Sequence, residues 1–147
     1  MKTMENDIFT ALMQIVTFFN QPANDEKILK AAGASQDPNL LPIIVRIGLQ
    51  PNIRVGKLAN QLGKDHSSTS RQIAKFERQG LVQTVAAPDD RRARAVALTA
   101  AGQQLYDRIA TVRAEKIQQV LGSVSATEQQ AILKRLQQIA ALLNQAK

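Results

Sequence analysis

Cysteine does not occur among the 147 residues of this chain. That absence excludes disulfide bridges, cysteine-ligated zinc, thiol nucleophiles and thiol-based redox sensing together. Histidine occurs once, as His66. One imidazole without a thiol is too little for a zinc site or a Ser-His-Asp triad. No constellation of nucleophile, base and orienting group stands out either, so we expect no metal, no cofactor and no enzymatic activity. Tryptophan is missing and aromatic residues make up 3% of the chain. A stacking platform for single-stranded nucleic acid needs several aromatics, which weighs against that class. No apolar run approaches the roughly 18 residues that a membrane span requires. Glu5 and Asp7 precede any apolar stretch, a pattern unlike a signal peptide. These features predict a soluble, cytoplasmic protein with no membrane association.

What remains is one ordinary domain's worth of chain, 1–147, with 44% apolar residues and a net charge of +7. A length near 150 suffices for a single buried core. The charge is unevenly spread. Residues 1–40 hold three basic and five acidic side chains, residues 41–99 ten and four, and residues 100–147 six and three. A basic excess concentrated in the middle third suggests an acidic partner, with nucleic acid foremost. Chance clustering on a solvated surface is the alternative.

Helical periodicity runs through most of the chain. Ile8, Leu12, Ile15 and Phe19 fall on one stripe, and a short helix is expected from Asp25 to Ala32. Pro42 suits the first turn of a helix carrying Ile43, Ile44 and Ile47. Gly33, Gly48, Gly63, Gly80 and Gly122 are expected to end helical stretches. Val55–Leu62, a turn at Gly63-Lys64-Asp65, and a further helix running to Gln79 have the spacing of a helix-turn-helix. Two short strands, Leu81–Val85 and Arg94–Leu98, follow, joined by a long loop over residues 86–93. Thr99 is placed to cap the next helix, with Leu105, Ile109, Val112 and Val120 on one face. Ser125 and Glu128 form a capping box for a last helix lined by Ile132, Leu136, Ile139 and Leu143. The fold class expected is therefore mainly α with a small β-hairpin wing: a winged helix-turn-helix over residues 40–99, flanked by helical segments at 1–33 and 100–147.

At about 100° per residue, Thr69, Ile73 and Phe76 fall in one sector of the second helix of the pair. Ser67, Arg71, Ala74, Lys75 and Arg78 fall opposite, with Ser68 and Ser70 flanking. Small hydroxyl side chains allow close approach to a groove, and a guanidinium at Arg71 matches the paired acceptors of guanine. His66, at the helix start, is a candidate phosphate or cap contact. The alternative is an amphipathic helix whose polar face is merely solvated. In the loop, Asp90, Arg91, Arg92 and Arg94 bring three guanidinium groups to a hairpin tip, and a narrow minor groove attracts inserted arginine. Asp90 is expected to hold the Arg92 guanidinium through paired hydrogen bonds. Here the alternative is a charge-balanced surface loop.

The terminal helices carry more apolar surface than the small central module can cover. Such surplus marks an interface, and a homodimer with two helix-turn-helix modules about 34 Å apart is the corresponding arrangement. A monomeric core completed by the terminal helices is the other possibility.

Leu58-Ala59, Leu62-Gly63, the Ser67–Gln79 helix, Gly80-Leu81-Val82, Asp90-Arg91-Arg92, Val96, Leu98-Thr99 and Gly102 together resemble the MarR family of winged-helix regulators. The resemblance runs from about Leu40 to Gly102, and its wing signature is the more specific part. It implies a dimer, joined by the terminal helices, on a palindromic operator in double-stranded DNA. It also implies repression more often than activation, and release by a small aromatic or phenolic ligand. It makes Arg92 the wing-tip arginine and Asp90 its partner, and sets Ser67, Ser68, Ser70 and Arg71 against DNA. Ala87 departs from the acid that many members carry in the wing. A protein-interaction module that uses a winged-helix fold without binding DNA is the competing function.

Overall fold

A computed structural model describes residues 2–146. These residues fall into two compact units, divided between Val112 and Arg113.

The first unit opens with helix α1 (Met4–Phe19), capped by Thr3, whose hydroxyl accepts from the Asn6 N–H at 3.2 Å. Helix α2 spans Pro22–Ala31, with Pro22 in its first turn, three residues earlier than its sequence periodicity suggests. Proline fits there because the first-turn N–H groups have no intrahelical acceptor. Helix α3 (Leu40–Leu49) has Pro42 in its first turn and buries Leu40, Leu41, Ile43, Ile44 and Ile47. Gly48 does not end this helix as expected but lies within it. A Cβ there would stand 2.2 Å from the Tyr106 ring, so the missing side chain serves close packing rather than a turn.

A short strand, β1 (Ile53–Arg54), leads directly into helix α4 (Val55–Leu62). Gly63 ends α4 in the left-handed conformation, φ 66°, where a Cβ would be penalised. Helix α5 (His66–Arg78) follows. Its cap is Asp65, which accepts from the Ser68 N–H at 2.6 Å. Thr69, Ile73 and Phe76 are its buried residues, the three that helical geometry assigns to the core. The Thr69 hydroxyl bonds the Asp65 carbonyl at 2.9 Å, so this buried polar group is satisfied.

Strands β2 (Val82–Ala87) and β3 (Asp90–Leu98) are longer than expected, and the anticipated long loop is a two-residue turn, Pro88-Asp89. Both strands antiparallel-pair in a three-stranded sheet of order β1-β3-β2. The third strand, β1, went unseen in the sequence because two residues are too few to show alternation. Register explains the rest of the loop. Pairing jumps from Ala86↔Arg94 to Ala87↔Asp90. Residues 91–93 therefore have no counterpart on β2 and form a bulge.

Helix α6 (Ala100–Val120) starts in a tight knot of bonds. The Thr99 hydroxyl donates to the Gly80 carbonyl at 2.6 Å and accepts from the Gly102 N–H at 3.1 Å. The Thr99 N–H donates to the Leu81 carbonyl at 3.1 Å. A Cβ on Gly102 would lie 1.9 Å from that same carbonyl oxygen. The Leu98-Thr99-x-x-Gly102 sequence thus has a physical reason: it closes the hairpin and the end of α5 onto the start of α6. The core of this unit gathers Leu29, Ile44, Ile47, Leu58, Phe76, Val96, Leu105 and Ile109 from six elements.

The second unit contains the end of α6 and helix α7 (Ala126–Gln145). Ser125 caps α7 by accepting from the Glu128 N–H at 3.2 Å. The reciprocal bond from Glu128 to the Ser125 N–H, expected of a full capping box, is not formed. The Gln129 side chain instead donates to the Leu121 and Val124 carbonyls at 3.2 and 2.9 Å.

Candidate nucleic-acid interface

Helix α5 presents its polar face outward. Ser67 and Arg71 are exposed, and Ser68, Ser70 and Ala74 are half-buried. The Thr69-Ile73-Phe76 stripe fixes this orientation by holding the opposite face in the core. A second restraint comes from Glu77, whose carboxylate accepts from the Thr84 N–H of β2 at 2.9 Å, tying helix to hairpin. His66 is the first residue of α5 and is exposed; its Nδ1 lies 3.4 Å from the Ser70 hydroxyl. The cap at this helix end is supplied by Asp65 rather than by His66, for which a cap or phosphate contact was the expectation.

Lys75, a candidate DNA contact by its place on the polar face of α5, is not a free cation. Its ammonium pairs with Asp37, at 2.5 Å, in the segment between α2 and α3. The Asp37 side chain is only 12% exposed. Burial pushes its carboxyl up, but hydrogen bonds from Lys75 and Asn39, with the charge of Lys75, outweigh that and hold it below the ordinary carboxylate value. Asp37 also accepts from the Asn39 N–H at 2.9 Å. The pair fastens the recognition-helix candidate to the chain ahead of α3.

The wing is held differently from the expectation. Asp90 does accept a hydrogen bond from Arg92, but from its backbone N–H, at 3.0 Å. The Arg92 guanidinium is not its partner. Two residues apart, this is a local turn bond that shapes the bulge. The guanidinium that a wing carboxylate does hold is that of Arg54, paired with Asp89 at 2.8 Å. Each partner answers in its ionisation. The hydrogen bond and the charge of Asp89 raise the Arg54 value, and the same bond lowers that of Asp89. Arg91, Arg92 and Arg94 are exposed. Arg91 and Arg92 stand on the unpaired bulge, at the hairpin end of the sheet.

Arg54 and Lys57 were not singled out by sequence. Both lie where β1 meets α4, next to His66 and Arg94 around one cleft of about 320 Å³. The available signal was the basic count of residues 41–99, which includes them without saying where they point. Among the described residues no group of three or more His, Cys, Asp or Glu side chains forms a metal-binding cluster. No helix among them is long and apolar enough to cross a membrane.

Residues 38–93 match the family model of the MarR family. Solved structures of similar fold extend over almost the whole chain. A MarR family protein from Bacillus stearothermophilus is 19% identical, with 97% of this chain and 99% of that one covered, at a TM-score of 0.75. FabT of Streptococcus pneumoniae, solved in complex with DNA, is 17% identical over 97% and 96%, at 0.63. PcaV of Streptomyces coelicolor, solved with its natural ligand, is 18% identical over 95% and 93%, at 0.56. Comparison with curated protein sequences gives no significant match. The family model matches the helix-turn-helix and wing, and end to end the chain shares the winged-helix fold of solved MarR family proteins.

Proposed function

We propose that the protein is a sequence-specific regulator of transcription that binds double-stranded DNA as a homodimer. In this reading it represses from a palindromic operator and is released by a small aromatic or phenolic ligand. The observation that carries DNA binding is the pairing of an outward polar face on α5 with an arginine-bearing bulge on β3. Helix and wing are fastened to each other through Glu77 and Thr84, so the two basic surfaces keep a fixed spacing. A protruding helix face fits a major groove, and an arginine-bearing tip fits an adjacent minor groove. FabT, similar in fold, was solved on DNA, which supports the same use here. The ligand-bound PcaV structure supports a search for a small effector.

Dimerisation is supported by surfaces at both ends of the chain. Helix α1 buries no residue and exposes Met4, Ile8, Phe9, Met13, Phe18 and Phe19. Helix α7 also buries none and exposes Ile132, Leu133, Leu136, Leu142 and Leu143. Apolar faces of that extent call for a covering surface, and a second copy supplies one for each.

The test is a titration of duplexes from the DNA upstream of the gene against purified protein, repeated across salt concentrations. Saturable binding to one segment, weakening steeply as salt rises, is the expected result. Equal and negligible binding to every duplex at low salt would favour the protein-interaction reading instead.

A further inference from the structure

The cleft at the foot of the wing has no assigned use. It is bordered by Arg54 at the end of β1, Lys57 in the first turn of α4, His66 at the start of α5, and Arg94 on β3. Four separate elements bring these side chains together, and three of the four are permanently cationic. Gathering like charges around a concavity is unfavourable unless an anion answers them. Within the chain, the ion pair that forms here is Arg54 with Asp89, at the rim, and both side chains remain largely exposed, 44% and 73%. A guanidinium has five N–H donors, so Arg54 retains most of its capacity. Among the described residues, no carboxylate lies within ion-pair distance of Lys57 or Arg94.

The chemistry of the rim narrows the ligand. Guanidinium and ammonium groups donate and never accept. That suits phosphate oxygens, which accept only; among the base edges, guanine alone offers a pair of acceptors without a donor between them. Helix α4 has no side-chain cap, and Gly56, which also lines the cleft, has open space where a Cβ would stand. Its backbone is therefore open to close approach. The cleft also adjoins His66, the residue before the exposed Ser67 of α5, so it continues the proposed DNA-facing surface.

We infer that this cleft is a phosphate-binding site, in which Lys57, Arg94 and the free face of Arg54 grip one backbone phosphate of the duplex beside the wing. The DNA source rests on the function proposed above; the phosphate chemistry does not. Arg54 then does two things. It holds the turn through Asp89 and turns its other N–H groups to the phosphate, so that wing position and backbone contact are set by one side chain. A phosphate here adds affinity and register without reading sequence.

Two probes separate the sources: a random-sequence duplex and inorganic phosphate. Lys57 is exposed and has no ion-pair partner among the described residues, so its replacement leaves the fold intact, which a thermal melt verifies. Lys57→Gln is expected to weaken duplex binding roughly threefold to tenfold and to reduce the salt slope by about 0.9 per site. Lys57→Arg, which keeps the charge, is expected to restore the slope. Duplex addition should shift the amide resonances of Gly56 and Lys57. Unchanged affinity and slope in Lys57→Gln, against a wild type that binds the duplex, would overturn the site. If the wild type binds no duplex at all, DNA recognition itself fails. In that case, shifts of Gly56 and Lys57 amides with inorganic phosphate, lost in Lys57→Gln, support a site for free phosphate, and their absence overturns the site as well.

Discussion

The segment from α3 to the start of α6 and the terminal helices α1 and α7 are both rich in apolar residues, yet they use them in opposite ways. In the first, Ile44, Leu58, Phe76, Val96 and Leu105 are at most 2% exposed. In the second, Phe9, Phe19, Leu133 and Leu143 are each more than half exposed. The central module thus satisfies its hydrophobic demand within one chain, while the ends leave theirs open. The charge follows the same division, with the basic excess in the module whose interior is complete. A module rigid by itself can present side chains at fixed spacing, and the open faces at the ends are suited to joining two such modules.

The largest effect expected is on the central core. Phe76→Ala removes a fully buried ring and should cost about 3–5 kcal/mol, read as a lower urea midpoint. A cost under about 1 kcal/mol would mean that the module does not depend on its own core, and the contrast with the ends would collapse.

Next comes the open face of α7. Leu136 is 48% exposed, so Leu136→Glu should leave the melting of the central module unchanged. It should weaken self-association by about 30-fold or more, as a desolvated carboxylate in an apolar interface costs 2 kcal/mol or more. Light scattering across a concentration series gives the answer. A wild-type protein that is monomeric throughout that series would remove the dimer from the proposal.

Within the proposed DNA-facing surface, Arg92→Ala should lower operator affinity by about 5- to 150-fold, in line with about 1–3 kcal/mol for a groove contact. The thermal midpoint should stay put, since the side chain is exposed and has no ion-pair partner among the described residues. Loss of stability with affinity would recast Arg92 as a structural residue. Arg71→Ala should relax preference between operator variants, where the Arg92 change weakens them all.

The smallest effect concerns Lys75. Because its ammonium is engaged by Asp37, Lys75→Ala and Asp37→Asn should each lower stability modestly, by about 0.5–1 kcal/mol, and a double variant should cost little more than either. If Lys75 instead serves phosphate, Asp37→Asn frees it and duplex affinity rises. The pair also carries a pH signature. Asp37 is lowered in the folded protein. Its contribution is therefore complete above the ordinary carboxylate range and is lost as pH falls through the lower folded value. A carboxyl titration by NMR, compared with Lys75→Ala, measures the shift.

Much of the architecture was legible because it rests on local rules. The face of α5 that carries Thr69, Ile73 and Phe76 is set by helical period, the stop at Gly63 by its tolerance of positive φ, and the start of α7 by Ser125. The Arg92 neighbourhood shows where this ended. The sequence suggested a carboxylate next to an arginine, and Asp90 does bond that residue. Which atom of Arg92 it meets depends on a register slip in the hairpin, and a slip is a property of two strands together. Arg54 and Asp89 stand 35 positions apart, and the pairs made when β1 docks on β3, Ile53 with Val96 and Arg54 with Ala95, stand 43 and 41 apart. Helical period puts Lys75 on the face opposite Thr69, Ile73 and Phe76, which made it a candidate DNA contact; its actual partner comes from a segment 38 residues earlier.

The sequence alone, then, determined the helices, the wing, the outward face of α5 and the segregation of basic charge into the middle third. All of these follow from periodicity, capping and counting, which act between residues close in the chain. Only the tertiary structure decided which charges stay free. It spent Lys75 on Asp37 and part of Arg54 on Asp89, and it drew Lys57, His66 and Arg94 around one cleft. Those outcomes turn on distances of a few ångströms between distant segments, and electrostatic energy is steep at that range.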